Sequence, residues 1–277
     1  MEASLNLTST TAKIRILSTS SRPLVYAHRG GAALRPENTI AAFDHGVACG
    51  VDGLECDVHL SREGVVVVHH DETLERTTGT RARVADLTAD ELARLDAGFT
   101  FQADGGTTFP FRGAGFGIPR LRDVLRRYPS MRFIIELKTG EPELAYRTID
   151  EVRAASAIDR IALGSFYWRV LNAARTYEPR IATGASQEET RWALYRSWVG
   201  WRLRRPKYRE FQVPERYGVT TIVTPRFVTY AHRSGLPVKI WTVNTEPDMR
   251  RLIDWGADAL ITDRPDLGVR ICRSEPL

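Results

Sequence analysis

Cysteine is scarce in this 277-residue chain. Cys49, Cys56 and Cys272 are too few and too scattered for a disulfide framework or a zinc finger, which fits a reducing compartment. Long hydrophobic runs are missing as well: no apolar stretch approaches the roughly 18 residues of a membrane span. The first 20 residues lack a basic segment followed by a hydrophobic core, so no secretory signal is expected. The chain is therefore read as cytoplasmic or peripherally attached to a membrane. No Gly-rich phosphate fingerprint follows an early strand, which argues against a doubly wound nucleotide-binding sheet. A formal charge of +5 comes without any nucleic-acid motif or basic repeat, so the expected partners are anionic substrates or anionic membranes and not nucleic acid.

What is present is repetition of a simple kind. Short β-branched runs at 24–28, 53–58, 132–138, 160–166, 180–185, 219–224, 237–244 and 257–263 alternate with helix-like patterns such as "ENTIAAFDHGVACG", "WRVLNAARTY" and "EPDMRRLIDWG". Eight strand–helix repeats predict an α/β fold, a (β/α)8 TIM barrel, over residues 23–277, preceded by an N-terminal extension at 1–22. Barrel enzymes place their chemistry at the C-terminal ends of the strands. There the sequence puts His28 and Arg29, Glu55 and Asp57, Glu136 and Lys138, Ser165, Trp241 and Asn244, and Asp263.

After strand two the alternation breaks, because "LSREGVVVVHHD" continues as a second extended segment and marks a loop insertion. A four-residue turn at Ser61–Gly64 pairs Asp57 with Val68 and Glu55 with His70. This register sets His70 beside the carboxylates and turns His69, opposite Cys56, to the other face; His59 is likewise read on the back of the hairpin. His45 and His232 fall on helices, where structural roles are expected. Residues 98–117, rich in glycine and aromatics without a period, form a long loop, read equally as a lid over the rim or as a surface insertion.

Glu55 and Asp57, two apart in a strand, face the same way, and Glu136 joins them from a neighbouring strand end. Three carboxylates make an oxygen-only set suited to Mg²⁺ or Ca²⁺. Arg29 and Lys138 add fixed positive charge suited to a phosphate. His28 and His70 are two groups able to exchange protons near neutral pH.

With these residues in view, "HRG", "PENTIAAF", "LECDV", "HHDETLERTT", "IELK" and "VKIWTVN…GADALITDRP" together resemble the glycerophosphodiester phosphodiesterases, over roughly residues 24–267. The resemblance implies a barrel of the phospholipase C-like phosphodiesterase type, one divalent cation, and hydrolysis of glycerophosphodiesters to an alcohol and sn-glycerol 3-phosphate. It implies His28 and His70 as the acid/base pair, Glu55, Asp57 and Glu136 as metal ligands, and Arg29 and Lys138 as phosphate-binding residues. Trp241 matches an aromatic beside the glycerol. It also implies a route through a cyclic phosphate, formed when the glycerol 2-hydroxyl attacks phosphorus and then opened by water. Two alternatives differ in class. Lyases similar to the spider-toxin sphingomyelinase D or lysophospholipase D group, acting on lysolipids, look disulfide-linked and lack the "ELK" glutamate. A non-catalytic phosphate- or lipid-binding barrel would have lost a histidine or carboxylate that this chain keeps.

One stretch is left over. Residues 191–209, "RWALYRSWVGWRLRRPKYR", carry seven basic residues and no acidic one. As one helix they would place Leu194, Trp198 and Trp201 on one stripe and Trp192, Tyr195 and Val199 on the next. Two expectations follow: an outer barrel helix with its aromatics packed on the sheet, or an interfacial helix in peripheral contact with anionic membrane, near lysophospholipid substrates.

Overall fold

The computed structural model describes residues 22–103 and 106–274. The chain runs through β1 (Leu24–Ala27), α1 (Ile40–Cys49), β2 (Gly53–Leu60), β3 (Val66–Val68), α2 (Glu75–Thr78), α3 (Ala89–Ala93), α4 (Leu121–Arg127), β4 (Arg132–Leu137), α5 (Pro142–Ala154), β5 (Ile161–Gly164), α6 (Trp168–Tyr177), β6 (Ala182–Thr183) and α7 (Gln187–Val199). It continues through β7 (Phe211–Pro214), β8 (Arg216–Tyr217), β9 (Thr220–Thr221), α8 (Pro225–Arg233), β10 (Val238–Trp241), α9 (Glu246–Asp254), β11 (Ala259–Thr262) and α10 (Pro265–Ser274). The expected extension at 1–22 lies, except for Arg22, outside the described residues.

Strand order in the main sheet is β6-β5-β4-β2-β1-β11-β10-β7, parallel throughout, with β3 antiparallel on β2. Its two ends meet at a single parallel bridge between Gly184 and Glu210. Ala185 N donates to Glu210 O at 3.0 Å and Arg209 N to Thr183 O at 2.9 Å, closing the barrel. Alternation along the strands separates two cores. Leu54, Cys56 and Val58 of β2, with Phe133, Ile135 and Leu137 of β4, pack outward with the helices. Tyr26, Ile134, Ala259 and Ile261 fill the lumen below Trp241. The lumen also holds a buried ion pair, Lys239 Nζ to Glu210 Oε1 at 2.8 Å, so its charges are compensated locally.

Three expectations are corrected. The sixth barrel strand is β7, not 219–224: Thr220–Thr221 instead forms a small hairpin with Arg216–Tyr217. The run "VTTIVT" has the stronger β-propensity, but "FQVP" carries Gln212, which reaches Glu210 Oε1 at 2.7 Å inside the lumen, so a polar interior position masks the strand in the sequence. The β2–β3 register is shifted by one, to Val58↔Val68, His59↔Val67 and Leu60↔Val66. The loop includes a fifth residue, since Ser61 N donates to Val65 O at 2.9 Å, and one extra residue moves every partner by one. Finally, the 191–209 stretch is not one helix. Gly200, left-handed at φ 72, ends α7, and Trp201 lies beyond it.

The insertion between β2 and α4 has a small core of its own, with Val67, Leu74, Val84, Leu92 and Ile118. The 98–117 loop is anchored on it: Ala97 N donates to Phe116 O at 2.8 Å, and the Arg112 guanidinium stacks over Phe99 and Phe109 at 4.2 and 3.7 Å.

Candidate active site

Parallel register between β2 and β4 sets Asp57 directly beside Glu136, with Glu55 one inward step below. Oxygens of Glu55, Asp57 and Glu136 lie within 4.8 Å of one another. Like charges this close in a dry barrel mouth disfavour ionisation. Burial, and then the Asp57 charge, pushes the Glu55 carboxyl up to about 8 and raises Glu136 as well. Burial would also raise Asp57, but Lys138, Arg29 and His70 hold it below the usual carboxylate range. Asp57 Oδ1 is buried without a hydrogen-bond donor, Lys138 Nζ at 3.4 Å making an ion pair only. A clustered all-oxygen set with an orphaned, ionised oxygen fits a hard divalent cation.

Next to the carboxylates, the chain after β1 turns sharply through His28, Arg29 and Gly30. Arg29 takes the left-handed region at φ 51, and its backbone N–H donates to Glu55 Oε2 at 2.9 Å. Gly30 is required sterically, since a Cβ there would sit 2.7 Å from the Ala42 backbone. The turn sends the Arg29 guanidinium toward Asp57, Nε to Oδ2 3.3 Å, and sets His28 Nε2 3.9 Å from Glu55 Oε2. His28 Nδ1 donates to Asp263 Oδ1 at 2.6 Å, and Asn244 Nδ2 holds Asp263 Oδ2 at 2.7 Å. Burial works against the charged form of His28, yet Glu55 and Asp263 together raise its pKa.

His70 reaches the site by a route the sequence does not show. With the observed register it would oppose Cys56, but the last hydrogen bond of the ladder is His69 N donating to Asp57 O at 3.0 Å. The chain then bends, and the His70 ring enters the mouth with Nδ1 donating to Asp71 Oδ1 at 2.5 Å. His69 stays out, buried with Nε2 on Thr73 O at 3.2 Å. His59, expected on the back, instead shares the face of Glu55 and Asp57, and its Nε2 donates to the His70 carbonyl at 3.1 Å, bracing the bend. Burial, against the pull of Asp57, lowers the His70 pKa.

His28, Arg29, Glu55, His70, Glu136, Lys138 and Trp241 all line one cavity of about 400 Å³ at the C-terminal rim. None of the described residues of the 98–117 loop lines it. A sequence model of the Glycerophosphoryl diester phosphodiesterase family matches residues 28–267. The chain belongs to this family.

A glycerophosphodiester phosphodiesterase of Caldanaerobacter subterraneus is 32% identical over 258 residues, covering 91% of this chain and 98% of the relative. A lysophospholipase D of Homo sapiens is 26% identical, covering 86% and 82%. Among solved structures, an Oleispira antarctica phosphodiesterase in complex with the product sn-glycerol-3-phosphate superposes with a TM-score of 0.72 at 25% identity, covering 92% of this chain and 98% of that one. Membership makes the chain a hydrolase of glycerophosphodiesters with the barrel fold.

Within this phosphodiesterase barrel, four residues escape a reading of strand ends. Asn38, left-handed at φ 58, donates from Nδ2 to Asp57 Oδ2 at 2.9 Å. Glu37 accepts from Arg29 NH1 at 2.9 Å and from both Arg76 terminal nitrogens at 2.7 Å. Arg76 of α2 also donates from Nε to Asp71 Oδ2 at 2.5 Å, and Asp71 holds His70. The available signal was the "PEN" and "HHD" stretches, which carry resemblance but sit in loops without a period.

Proposed function

We propose that this phosphodiesterase cuts its substrate by internal attack of the glycerol 2-hydroxyl, with His28 and His70 as the proton-transferring pair. The observation that carries the reading is the paired geometry: each histidine is tied at Nδ1 to a carboxylate, Asp263 or Asp71, which fixes the tautomer and leaves Nε2 free for a substrate oxygen. Arg29, whose buried Nε lacks a hydrogen-bond acceptor, and Lys138 hold the phosphate oxygens. One Nε2 takes the 2-hydroxyl proton as that oxygen bonds to phosphorus; the other gives a proton to the alcohol oxygen as its bond to phosphorus breaks. Reversed proton roles let water open the cyclic phosphate at the 2-oxygen, leaving glycerol 3-phosphate. Glu55, Asp57 and Glu136 hold one Mg²⁺ or Ca²⁺, which when bound neutralises charge on the phosphate oxygens. Trp241, edge-to-face with Phe166 at 6.0 Å, packs against the glycerol carbons. Three free thiols suit a cytoplasmic site of action.

Chelation tests the cation. Activity on glycerophosphocholine should vanish in excess chelator and return with Mg²⁺ or Ca²⁺, and Glu136→Gln should weaken calorimetric binding of the ion itself. Full turnover in chelator would remove the metal from the reading.

A second reading concerns α7 and the segment after it. Trp192, Tyr195, Trp198 and Trp201 are 64, 48, 51 and 67% exposed, whereas the helix buries Thr190, Ala193, Leu194 and Ser197. The aromatics therefore do not pack on the sheet. Beside them Arg202, Arg204 and Arg205 are exposed. This supports peripheral contact with anionic membrane through 191–209, each basic residue adding about 1 kcal/mol near such a surface. Among the described residues no helix is long and apolar enough to cross a membrane. Replacing the three arginines together should abolish salt-sensitive sedimentation with anionic vesicles; equal binding by the variant would refute the contact.

A further inference from the structure

The cavity does not end where a glycerol phosphate would. Beyond Trp241 it continues between α7 and the β8–β9 hairpin, along Phe166, Leu194, Tyr195, Trp198, Tyr217 and Ile222. Its total of about 400 Å³ falls in the range that encloses drug-sized ligands. Among the described lining residues of this outer part, Arg191 is the one charged group. Gln187, Thr190, Gln212 and Thr220 also touch the cavity, but apolar and aromatic side chains supply most of its wall, so a sugar head group would leave that wall unmatched. A quaternary ammonium would find aromatic faces but no carboxylate, and the Arg191 cation would oppose it. Aliphatic side chains, Leu194 and Ile222 with Val213 and Pro214, complete the wall.

The wall is also held firmly. Ser186 caps α7 through a reciprocal capping box with Glu189. At the other end Arg226 Nε donates to Ser197 O at 3.0 Å and Tyr230 OH to Trp201 O at 2.7 Å, pinning α7 to α8. Tyr195 and Trp198 pack edge-to-face at 5.4 Å, so their rings stand as a fixed surface rather than as loose side chains. An apolar surface continuous with a phosphodiester site is matched by an apolar substituent on the same diester.

We propose that the outer cavity is a subsite for a single aliphatic chain carried by the phosphodiester substrate, with Leu194, Tyr195, Trp198, Tyr217 and Ile222 as its walls. Turnover of such substrates rests on the diester hydrolysis proposed above; binding of the chain does not. The subsite takes the chain of a one-chain lipid after it leaves a membrane or a micelle, and its selectivity is set by chain burial rather than by head-group recognition.

The test is a ladder of phosphodiesters with one head group and chains of increasing length, all kept below their micelle concentrations. One set carries the chain on the glycerol, the other on the leaving alcohol, so that the set showing the dependence identifies where the chain enters. In one set kcat/KM should rise by roughly three- to fourfold per methylene buried, then level off. In Tyr195→Ala/Trp198→Ala the ratio of long-chain to chainless kcat/KM should fall toward one, and Trp198→Phe should restore most of it. In parallel, calorimetry of dodecylphosphocholine binding reads the subsite without turnover, with a negative heat-capacity change expected for the wild type and a weaker one for the double variant. Chainless diester hydrolysis with no length dependence in either set, or a preference for choline over a neutral head of equal size without one, would overturn the subsite and leave the hydrolase reading intact. Loss of all turnover with chain-dependent binding retained would do the reverse.

Discussion

On the side of the cavity formed by β1, β2, β4 and β11, the polar side chains are held by second polar side chains: His28 by Asp263, Asp263 by Asn244, His70 by Asp71, Arg29 by Glu37, and Asp57 by Asn38. On the α7 side the rings of Tyr195, Trp198 and Tyr217 line the same space, half exposed, and ring packing takes the place of such a network. The contrast separates two demands. Proton transfer fails if an imidazole swings by an ångström, so its groups are over-determined. Burying a chain is non-directional and needs only apolar area at the right place.

The comparison breaks most visibly at His70. His70→Ala should lower kcat by about 10²- to 10⁴-fold, the usual contribution of a general acid or base. His69→Ala removes a buried ring bonded only to Thr73 and should leave kcat of the folded enzyme near wild type while lowering the melting temperature. If His69→Ala proves the more damaging to kcat, the ordered half of the cavity is wrongly assigned.

Arg76 sharpens the comparison at a distance from the substrate. It bridges Glu37 and Asp71, and so couples Arg29, the proposed phosphate-holding arginine, to His70, one of the proposed proton-transferring pair. Arg76→Ala should cost on the order of 10-fold in kcat with a smaller change in KM, as loss of an orienting contact does. Arg76→Lys, which can keep one of the two ion pairs, should recover part of it. An unchanged kcat with a lowered melting temperature would reduce Arg76 to a structural tie.

The smallest effect lies far from both halves. His232 donates from Nε2 to Asp258 Oδ2 at 2.8 Å, and this hydrogen bond raises the His232 pKa above its ordinary value. A raised folded-state pKa means stabilisation that is full below about pH 6.5, the unfolded value, and lost as pH climbs through the folded value. The side chain is well exposed, so solvent screening holds the contribution within about 1 kcal/mol. The melting temperature of His232→Gln should fall slightly below wild type at pH 5.5 and converge with it at pH 8.5. Equal gaps at both values would show that the pair contributes no pH-dependent stability.

How much of this was legible in the sequence depends on whether a period announced it. Glu55, Asp57 and Glu136 lie on long, regular strands, where alternation alone sets the face. His70 was placed on the correct side through a wrong register, because a five-residue loop and a bend after His69 offset each other. β7 went unread because its inward residue, Gln212, is polar and its run ends in Pro214. Glu37, Asn38 and Arg76 act from loops and a four-residue helix, where no hydrophobic rhythm marks direction. Of the two helical stripes on α7, Trp192, Tyr195 and Val199 are exposed together, whereas the other is broken, because Leu194 is buried and Gly200 removes Trp201 from the helix.

The seam between β6 and β7 carries a consequence for ancestry. Everywhere else the hoop is a ladder of two or more partner pairs, but here it is one bridge, Gly184 to Glu210, with the whole of α7 and its basic tail hung between the two residues it joins. A segment tethered at both ends to one clasp can lengthen, shorten or change its surface without disturbing the pairing of β1, β2 and β4 that positions the carboxylates and histidines. Descendants of such a barrel can therefore exchange one substrate for another at the clasp while inheriting the reaction unchanged.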